Sequence, residues 1–207
     1  GAAAVLLSSE EPRSEKDVSL LNDIKNDAEA LTTMVENLLS ITRIQDASVP
    51  LKKREEMLEE VAGDAVLTTR RRFPDANVQL DLSEDILFLP MEPMLIKQVM
   101  VNLLENAVRH SGSQSGILLN LFRQDEWAVV EVRDHGKGLP PEVCQAVQSG
   151  RPLSRDLNGD STRGMGIGLS VCQSIIKAHN GFFAAGNAPE GGAVFRFGLP
   201  MEEKAYE

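Results

Sequence analysis

The sequence predicts an α+β fold preceded by a long, coiled-coil-like helix, and three features of the apolar pattern carry that prediction. Short runs at 78–82, 117–122, 128–132, 182–185 and 194–199 alternate or cluster apolar side chains as strands do. Between them, apolar residues return at helical intervals over 55–72, 96–108 and 169–178, so helices and strands are interspersed. Ahead of both, Leu21, Ile24, Ala28, Leu31, Val35 and Leu38 repeat with alternating three- and four-residue steps, the heptad spacing of a helix with one narrow apolar seam.

The seam is the first element to justify. Asp23, Lys25, Asn26, Asp27, Glu29 and Glu36 fill the positions between, so the rest of that helix is wet. A stripe so narrow, sustained over several turns, favours a partner helix over a place on its own domain. Before it, the run Ala-Ala-Ala-Val-Leu-Leu at 2–7 reads as a helix entered midway, and polar residues with Pro12 over 8–14 read as a turn. With Gly rather than Met first, the expectation is a fragment: a partial helical hairpin over 1–48 and a second domain over 49–207, parted at Ala47-Ser48-Val49-Pro50.

In the second domain an amphipathic stretch runs from Glu55 to Arg72, and Val78, Leu80 and Leu82 alternate as a strand before a short apolar run at 86–89. A helix follows Pro93, with Ile96, Val99, Met100, Leu103, Leu104, Ala107 and Val108 at helical spacing. The runs at 117–122 and 128–132 pair about a turn at Gln124-Asp125-Glu126, and those at 182–185 and 194–199 repeat the pattern. Residues 149–163, rich in Gly, Ser, Asp, Asn and Arg, read as a long mobile loop.

Composition bounds the function. The 207 residues are 42% hydrophobic and 25% charged, the profile of a soluble globular chain. Against 31 Asp and Glu stand 21 Lys and Arg, and the net charge of -10 argues against a general grip on nucleic acid or anionic lipid. Any anion site is therefore local. No apolar run is long enough to span a bilayer, and Cys144 and Cys172 lack metal-ligand or redox spacing.

Three clusters hold residue types that do chemistry. In Asn102-Leu103-Leu104-Glu105-Asn106-Ala107-Val108-Arg109-His110, Asn102, Asn106 and Arg109 share one helix face. Amide oxygens ligate Mg²⁺ and a guanidinium takes phosphate charge. The plainer reading is a solvated face, though Asn is a poor helix former and two in an apolar helix ask for a reason. The second cluster, Asp134-His135-Gly136-Lys137-Gly138-Leu139-Pro140, follows a strand directly and sets a carboxylate beside glycines that let backbone approach a ligand; alone, an ordinary strand-ending turn explains it. The third, Arg163-Gly164-Met165-Gly166-Ile167-Gly168-Leu169, leads into an apolar helix, a junction suited to phosphate. It follows a polar loop rather than a strand, which excludes a dinucleotide fingerprint, and no Gly-Lys-Ser/Thr follows, which excludes a Walker loop.

In this order and at these separations the clusters resemble the N, G1 and G2 boxes of the ATP-binding domain shared by histidine kinases and their ATPase relatives. The likeness continues into Lys177-Ala178-His179-Asn180-Gly181 and Pro189-Glu190-Gly191-Gly192-Ala193-Val194-Phe195 and covers about Leu51 to Pro200. Asn37 to Gln45 and Leu51-Lys52-Lys53 resemble the second dimerisation-hairpin helix and linker of KdpD-type potassium-sensing kinases. The resemblance implies a two-layer sandwich, a mixed sheet with helices on one face, that binds Mg-ATP for phosphoryl transfer to a histidine. It implies Asn106 as Mg²⁺ ligand with Asn102 beside it, Arg109 near the phosphates, and His110 where relatives often carry Tyr against adenine. Asp134 takes the adenine amino group, Gly136 and Gly138 keep that wall thin, and Gly164, Gly166, Gly168 and Leu169 belong to the lid hinge and phosphate side. The implied partners are a response-regulator receiver domain and a second copy of the kinase, in the cytoplasmic part of a bacterial inner-membrane protein.

One position separates branches of that superfamily, and at two others the sequence departs from the kinase pattern. Hydrolysing relatives place a Glu four residues before the metal-binding Asn, where this chain has Asn102, and Glu105 points elsewhere on the helix. Val143-Cys144-Gln145-Ala146-Val147-Gln148 has no aromatic residue where the kinases usually carry one before the lid, leaving Arg151 and Arg155 as candidate phosphate contacts. The only histidines, His110, His135 and His179, lie in or beside the nucleotide boxes, so the acceptor histidine is expected upstream of this sequence. The competing expectation is a non-catalytic dimerisation and docking module.

Overall fold

The computed structural model describes residues 51–83, 85–111, 116–149 and 165–202, the backbone alone for 165–167, together with positions scattered between 17 and 42. The chain divides into two compact units, Gly1–Leu39 and Ser40–Glu207. In the first, the described positions are helical, and Val18, Leu20, Ile24, Leu31, Val35 and Leu39 are all exposed. The turn expected at 8–14, the break at 47–50 and most of the loop at 149–163 lie outside the described residues.

The second unit opens with strand β1 (Arg54–Met57) and helix α1 (Leu58–Arg72). A single helix was expected from Glu55; instead Arg54–Met57 pairs antiparallel with β3 (Phe88–Met91) in a separate two-stranded sheet. The Arg-Glu-Glu-Met run has no strand pattern of its own, and its conformation comes from that long-range pairing. The helix start is fixed from the same side: Leu58 N–H donates to the Leu87 carbonyl at 2.9 Å, and Leu87 N–H donates to Glu59 Oε1 at 2.8 Å. Glu59 and Glu60 in the first turn of α1 and Arg70, Arg71 and Arg72 in its last match the helix dipole.

The main sheet has strand order β2-β4-β5-β7-β6, formed by β2 (Val78–Leu82), β4 (Ile117–Gln124), β5 (Trp127–Arg133), β6 (Phe182–Asn187) and β7 (Ala193–Pro200). β2 runs parallel to β4 and every other pair is antiparallel, so the sheet is mixed. Parallel neighbours need a crossover, supplied here by β3 and helix α2 (Pro93–Ser111). The β4–β5 register centres on a two-residue turn in which Asp125 takes φ 55°, as the polar Gln-Asp-Glu sequence predicts.

Register decides which face is covered. Leu119, Val132 and Phe195 align across three strands, as do Leu121, Val130 and Phe197, and all six are at most 3% exposed beneath the helices. On the opposite face Asn120, Glu131, Arg196 and Ala184 align, and Arg196 Nε donates to Glu131 Oε2 at 2.9 Å. The result is the expected two-layer α+β sandwich with helices on one side. α2 is buried almost all round because it packs on α1, on α4 (Met165–Ala178) and on the sheet; each of its fully buried aliphatic side chains contributes about 2 kcal/mol.

Two further elements differ from expectation. Pro141–Gln148 forms a short helix, α3, with Pro141 at its start and Val143 and Val147 buried one turn apart. Helix α4 begins at Met165, four residues before the expected Leu169, so Gly166 and Gly168 are helical rather than part of a loop leading in. At its far end His179 is 1% exposed: Nδ1–H donates to the Ile175 carbonyl at 2.8 Å, and Nε2 accepts from Glu92 N–H at 3.1 Å. The Glu92 carboxylate meanwhile caps α2, with Oε2 accepting from Leu95 N–H at 2.8 Å.

Candidate functional site

The C-terminal half of α2 and the turn after β5 enclose a cavity of about 550 Å³, lined by Asn106, Arg109, His110, Asp134, Lys137, Gly138, Leu139, Pro140, Ala193 and Phe195. Five of the residues singled out in the sequence meet here: Asn106, Arg109, His110, Asp134 and Gly138. They come from two segments some 25 residues apart, joined because β5 lies beside β4 and α2 packs across both.

Asp134 is the best-fixed member. It is 4% exposed, and its Oδ1 accepts from Gly136 N–H at 2.8 Å and Ala193 N–H at 3.0 Å, while its own N–H donates to the Ala193 carbonyl at 3.0 Å. One oxygen is thus committed to the fold. The other, Oδ2, makes no hydrogen bond to any described residue and remains an acceptor for a ligand N–H. Gly136 presses on the end of α2, where a Cβ would lie 2.8 Å from the His110 carbonyl oxygen. Gly138 takes φ +76°, and a Cβ there would meet Asn187 Oδ1 at 2.7 Å, so only glycine closes this turn.

From α2, Asn106 presents a half-buried amide whose Nδ2 is buried without a partner. Among the described residues Nδ2 has no partner, and an amide oxygen beside it is the kind of donor a hard cation takes. The described residues contain no group of three His, Cys, Asp or Glu side chains able to hold a metal ion. One amide oxygen therefore fits Mg²⁺ only with phosphate and water completing the shell, which is how that ion prefers to bind. Arg109 lies 5.5 Å from the centre of the Phe73 ring, with Nη2 3.8 Å from Glu105 Oε2. Burial lowers the His110 pKa below the usual imidazole value, Asp134 opposes this and Arg109 adds to it, so the ring is neutral near pH 7.

Other residues fall elsewhere. Asn102 is 8% exposed and its Nδ2 donates to Cys172 Sγ at 3.9 Å in the α2–α4 contact, away from the cavity lining. The cause is helix phase: with α2 buried on several sides, positions one turn apart on a nominal face reach different neighbours. Leu169 is 0% exposed in the core and does not line the cavity. Gly168 lies within α4, and nothing stands within 4 Å of a Cβ built there. Gly164, Arg151 and Arg155 lie outside the described residues.

Sequence reasoning passed over two contributors. Lys137 lines the cavity and, with Arg109, concentrates positive charge in a chain of net charge -10. Asn187, the last residue of β6, engages the Leu139 backbone twice: Leu139 N–H donates to Oδ1 at 2.6 Å, and Nδ2 donates to the Leu139 carbonyl at 3.0 Å. The signal for the first was its place between two glycines; the second had only long-range partners and no local signal.

Comparison with known proteins places the chain in a family. The chain is 34% identical over 203 residues to the sensor protein KdpD of Clostridium acetobutylicum, covering 98% of this chain and 23% of that protein. It is 36% identical over 171 residues to KdpD of Escherichia coli K12, covering 83% of this chain and 19% of the relative. The chain thus spans about a quarter or less of the length of these sensor proteins. Its fold matches that of the histidine kinase ThkA, solved in complex with the response regulator TrrA, with a TM-score of 0.69 at 24% identity over 97% of this chain and 56% of ThkA. Residues 91–203, which hold every described cavity residue, match the family described as histidine kinase-, DNA gyrase B-, and HSP90-like ATPase, and the chain belongs to that family.

Proposed function

We propose that this chain binds Mg-ATP and presents it for phosphoryl transfer to a histidine, as the catalytic part of a KdpD-type sensor kinase that then relays the phosphoryl group to a receiver-domain aspartate. The observation that carries this reading is Asp134: Oδ1 is locked by two backbone N–H groups and Oδ2 is left as an acceptor on a cavity wide enough for a nucleoside. A carboxylate held this way selects an exocyclic amino group such as that of adenine. The neutral His110 ring offers a flat face beside it, and Arg109 and Lys137 supply charge for phosphates. Asn106 would hold Mg²⁺ through its amide oxygen, and the ion, when bound, neutralises charge on the phosphate oxygens.

Transfer is favoured over hydrolysis because Asp134 is the only carboxylate among the described lining residues, and it is committed to binding. Glu105 is turned to Arg72 and does not reach the cavity. The acceptor imidazole comes from another part of the longer kinase: His179 is buried, His110 lines the cavity, and His135 Nδ1 lies 2.7 Å from the Gly116 carbonyl oxygen. The exposed Ile24, Leu31 and Val35 of the first unit support pairing with a second copy, as the heptad pattern expects.

Calorimetric titration with a non-hydrolysable ATP analogue, with and without Mg²⁺, tests the reading. Binding is expected for the wild type, dependence on Mg²⁺ is expected to vanish in Asn106→Ala, and Asp134→Ala is expected to abolish binding. No binding by the wild type at millimolar analogue would sink it and favour the docking-module alternative.

A further inference from the structure

The turn 134–139 is gripped at both ends by one segment, the β6–β7 connection at 187–193. At the start of the turn, the Ala193 carbonyl accepts from Asp134 N–H and Ala193 N–H donates to Asp134 Oδ1. At the end, Asn187 holds both the N–H and the carbonyl of Leu139. Between these grips lie Gly136, Lys137 and Gly138, the last two on the cavity wall. The connection is itself closed, with Ala188 N–H donating to the Gly192 carbonyl at 3.0 Å, Gly191 N–H donating to the Ala188 carbonyl at 2.9 Å, and Glu190 paired with Arg133 next to Asp134.

Resting on the nucleotide-binding reading above, we infer that Asn187 is a positioning residue for the nucleotide, setting the far end of the Asp134 turn through Leu139 without lining the cavity itself. The reason is geometric. An amide bonded to both backbone groups of one residue fixes that residue's position and orientation, as a single hydrogen bond does not. Gly138, at φ +76°, has no side chain to hold it, and the space a Cβ would need is taken by the Asn187 amide. With Leu139 released, the wall carrying Lys137 and Gly138 loses its only described hydrogen-bonded anchor on that side, and Oδ2 of Asp134 faces a cavity of altered width. Asn187 is itself exposed, so the cost of its loss falls on Leu139, which is 6% exposed and whose N–H and carbonyl lose their described partners.

The test compares Asn187→Leu, which removes both bonds, with Asn187→Asp, which keeps the acceptor for Leu139 N–H and loses the donor to its carbonyl. Phe182→Ala serves as a control, removing the edge-on contact with Trp127, ring centroids 5.2 Å apart, at the opposite end of the same strand. Each whole-chain variant is titrated with the magnesium-loaded ATP analogue and its Leu139 amide exchange is followed by NMR. Asn187→Leu is expected to bind about tenfold more weakly and to lose Leu139 protection, Asn187→Asp about threefold more weakly with protection retained, and Phe182→Ala with wild-type affinity despite a lower melting temperature. If Asn187→Leu does not fold, the Asp variant and its Leu139 exchange decide the matter, since equal binding there overturns the inference. Equal affinity in Asn187→Leu, or losses that simply track melting temperature across all three variants, also overturns it. Failure of the wild type to bind overturns the nucleotide reading and this inference together.

Discussion

Glu105 receives the Arg72 guanidinium at 2.6 Å, joining the last turn of α1 to the middle of α2, and the carboxylate is buried to 7% of its side-chain surface. Its second oxygen faces Arg109 at 3.8 Å, so one buried carboxylate holds one arginine firmly and a cavity-lining arginine loosely. Removing Arg72 leaves a buried charge with only the loose contact. Arg72→Met is therefore expected to cost about 2 kcal/mol, below the 3–5 typical of a fully buried pair because Arg72 keeps 31% exposure. Glu105→Gln is expected to destabilise less and to leave nucleotide affinity within about twofold, since the residue is not a base in the cavity. Urea unfolding and calorimetry check both, and a large affinity loss in Glu105→Gln would return it to the site.

Asp134→Asn separates the two oxygens of the carboxylate. The substituted amide keeps an acceptor for Gly136 and Ala193 N–H at the Oδ1 position but puts a donor where Oδ2 now accepts. The fold is expected to survive with a melting temperature close to wild type, while affinity for the adenine nucleotide falls at least about tenfold. A donor at that place suits a ring carbonyl better than an amino group, so the ratio of guanine to adenine nucleotide affinity is expected to rise.

Much of this site was readable in the sequence because its parts are local. The Asp134–Pro140 run and the Asn106–His110 run each carry their chemistry within a few residues, and the alternation at 117–122 and 128–132 gave β4 and β5 with the turn between them. What escaped was set by distant partners. β1 exists because β3 pairs with it, Asn102 turns to Cys172 because α4 packs there, and Asn187 matters through Leu139, 48 positions away. Periodicity describes one element at a time, and these three features belong to pairs of elements.

His179 links α4 to the start of α2 through a neutral ring that donates at Nδ1 and accepts at Nε2. Protonation would turn a donor on Nε2 against the Glu92 N–H. Burial, the main cause, lowers its folded pKa, so below about 6.5 the unfolded chain binds the proton more readily than the folded one. Stability is then full above the unfolded pKa and falls as pH drops through 6.5 toward the lower folded value, with a slope of up to about 1.4 kcal/mol per pH unit from this group. His179→Gln is expected to be less stable at pH 7.5 yet to flatten the dependence between pH 7 and 5. An unchanged slope in that variant would assign the effect to another group, with His110, whose pKa is also lowered, the next to replace.

Two glycines from the same family resemblance should respond in opposite ways to a single methyl group. At Gly192, φ is +88° and a Cβ would collide with the Asp134 carbonyl oxygen, so the β6–β7 connection must move away from the turn it supports. Gly192→Ala is expected to cost about 2–3 kcal/mol through backbone strain, and to weaken nucleotide binding because Asp134 is displaced with it. At Gly168, inside α4 with open space around the Cβ position, Ala is the better helix former and is expected to add about 0.5–1 kcal/mol. Thermal unfolding reads the first half of each prediction and analogue titration the second. If Gly168→Ala gains stability but loses affinity, the fourth residue of α4 lies against the phosphates, as the glycine-rich sequence implies. If it gains stability and binds as wild type, that glycine serves neither packing nor ligand.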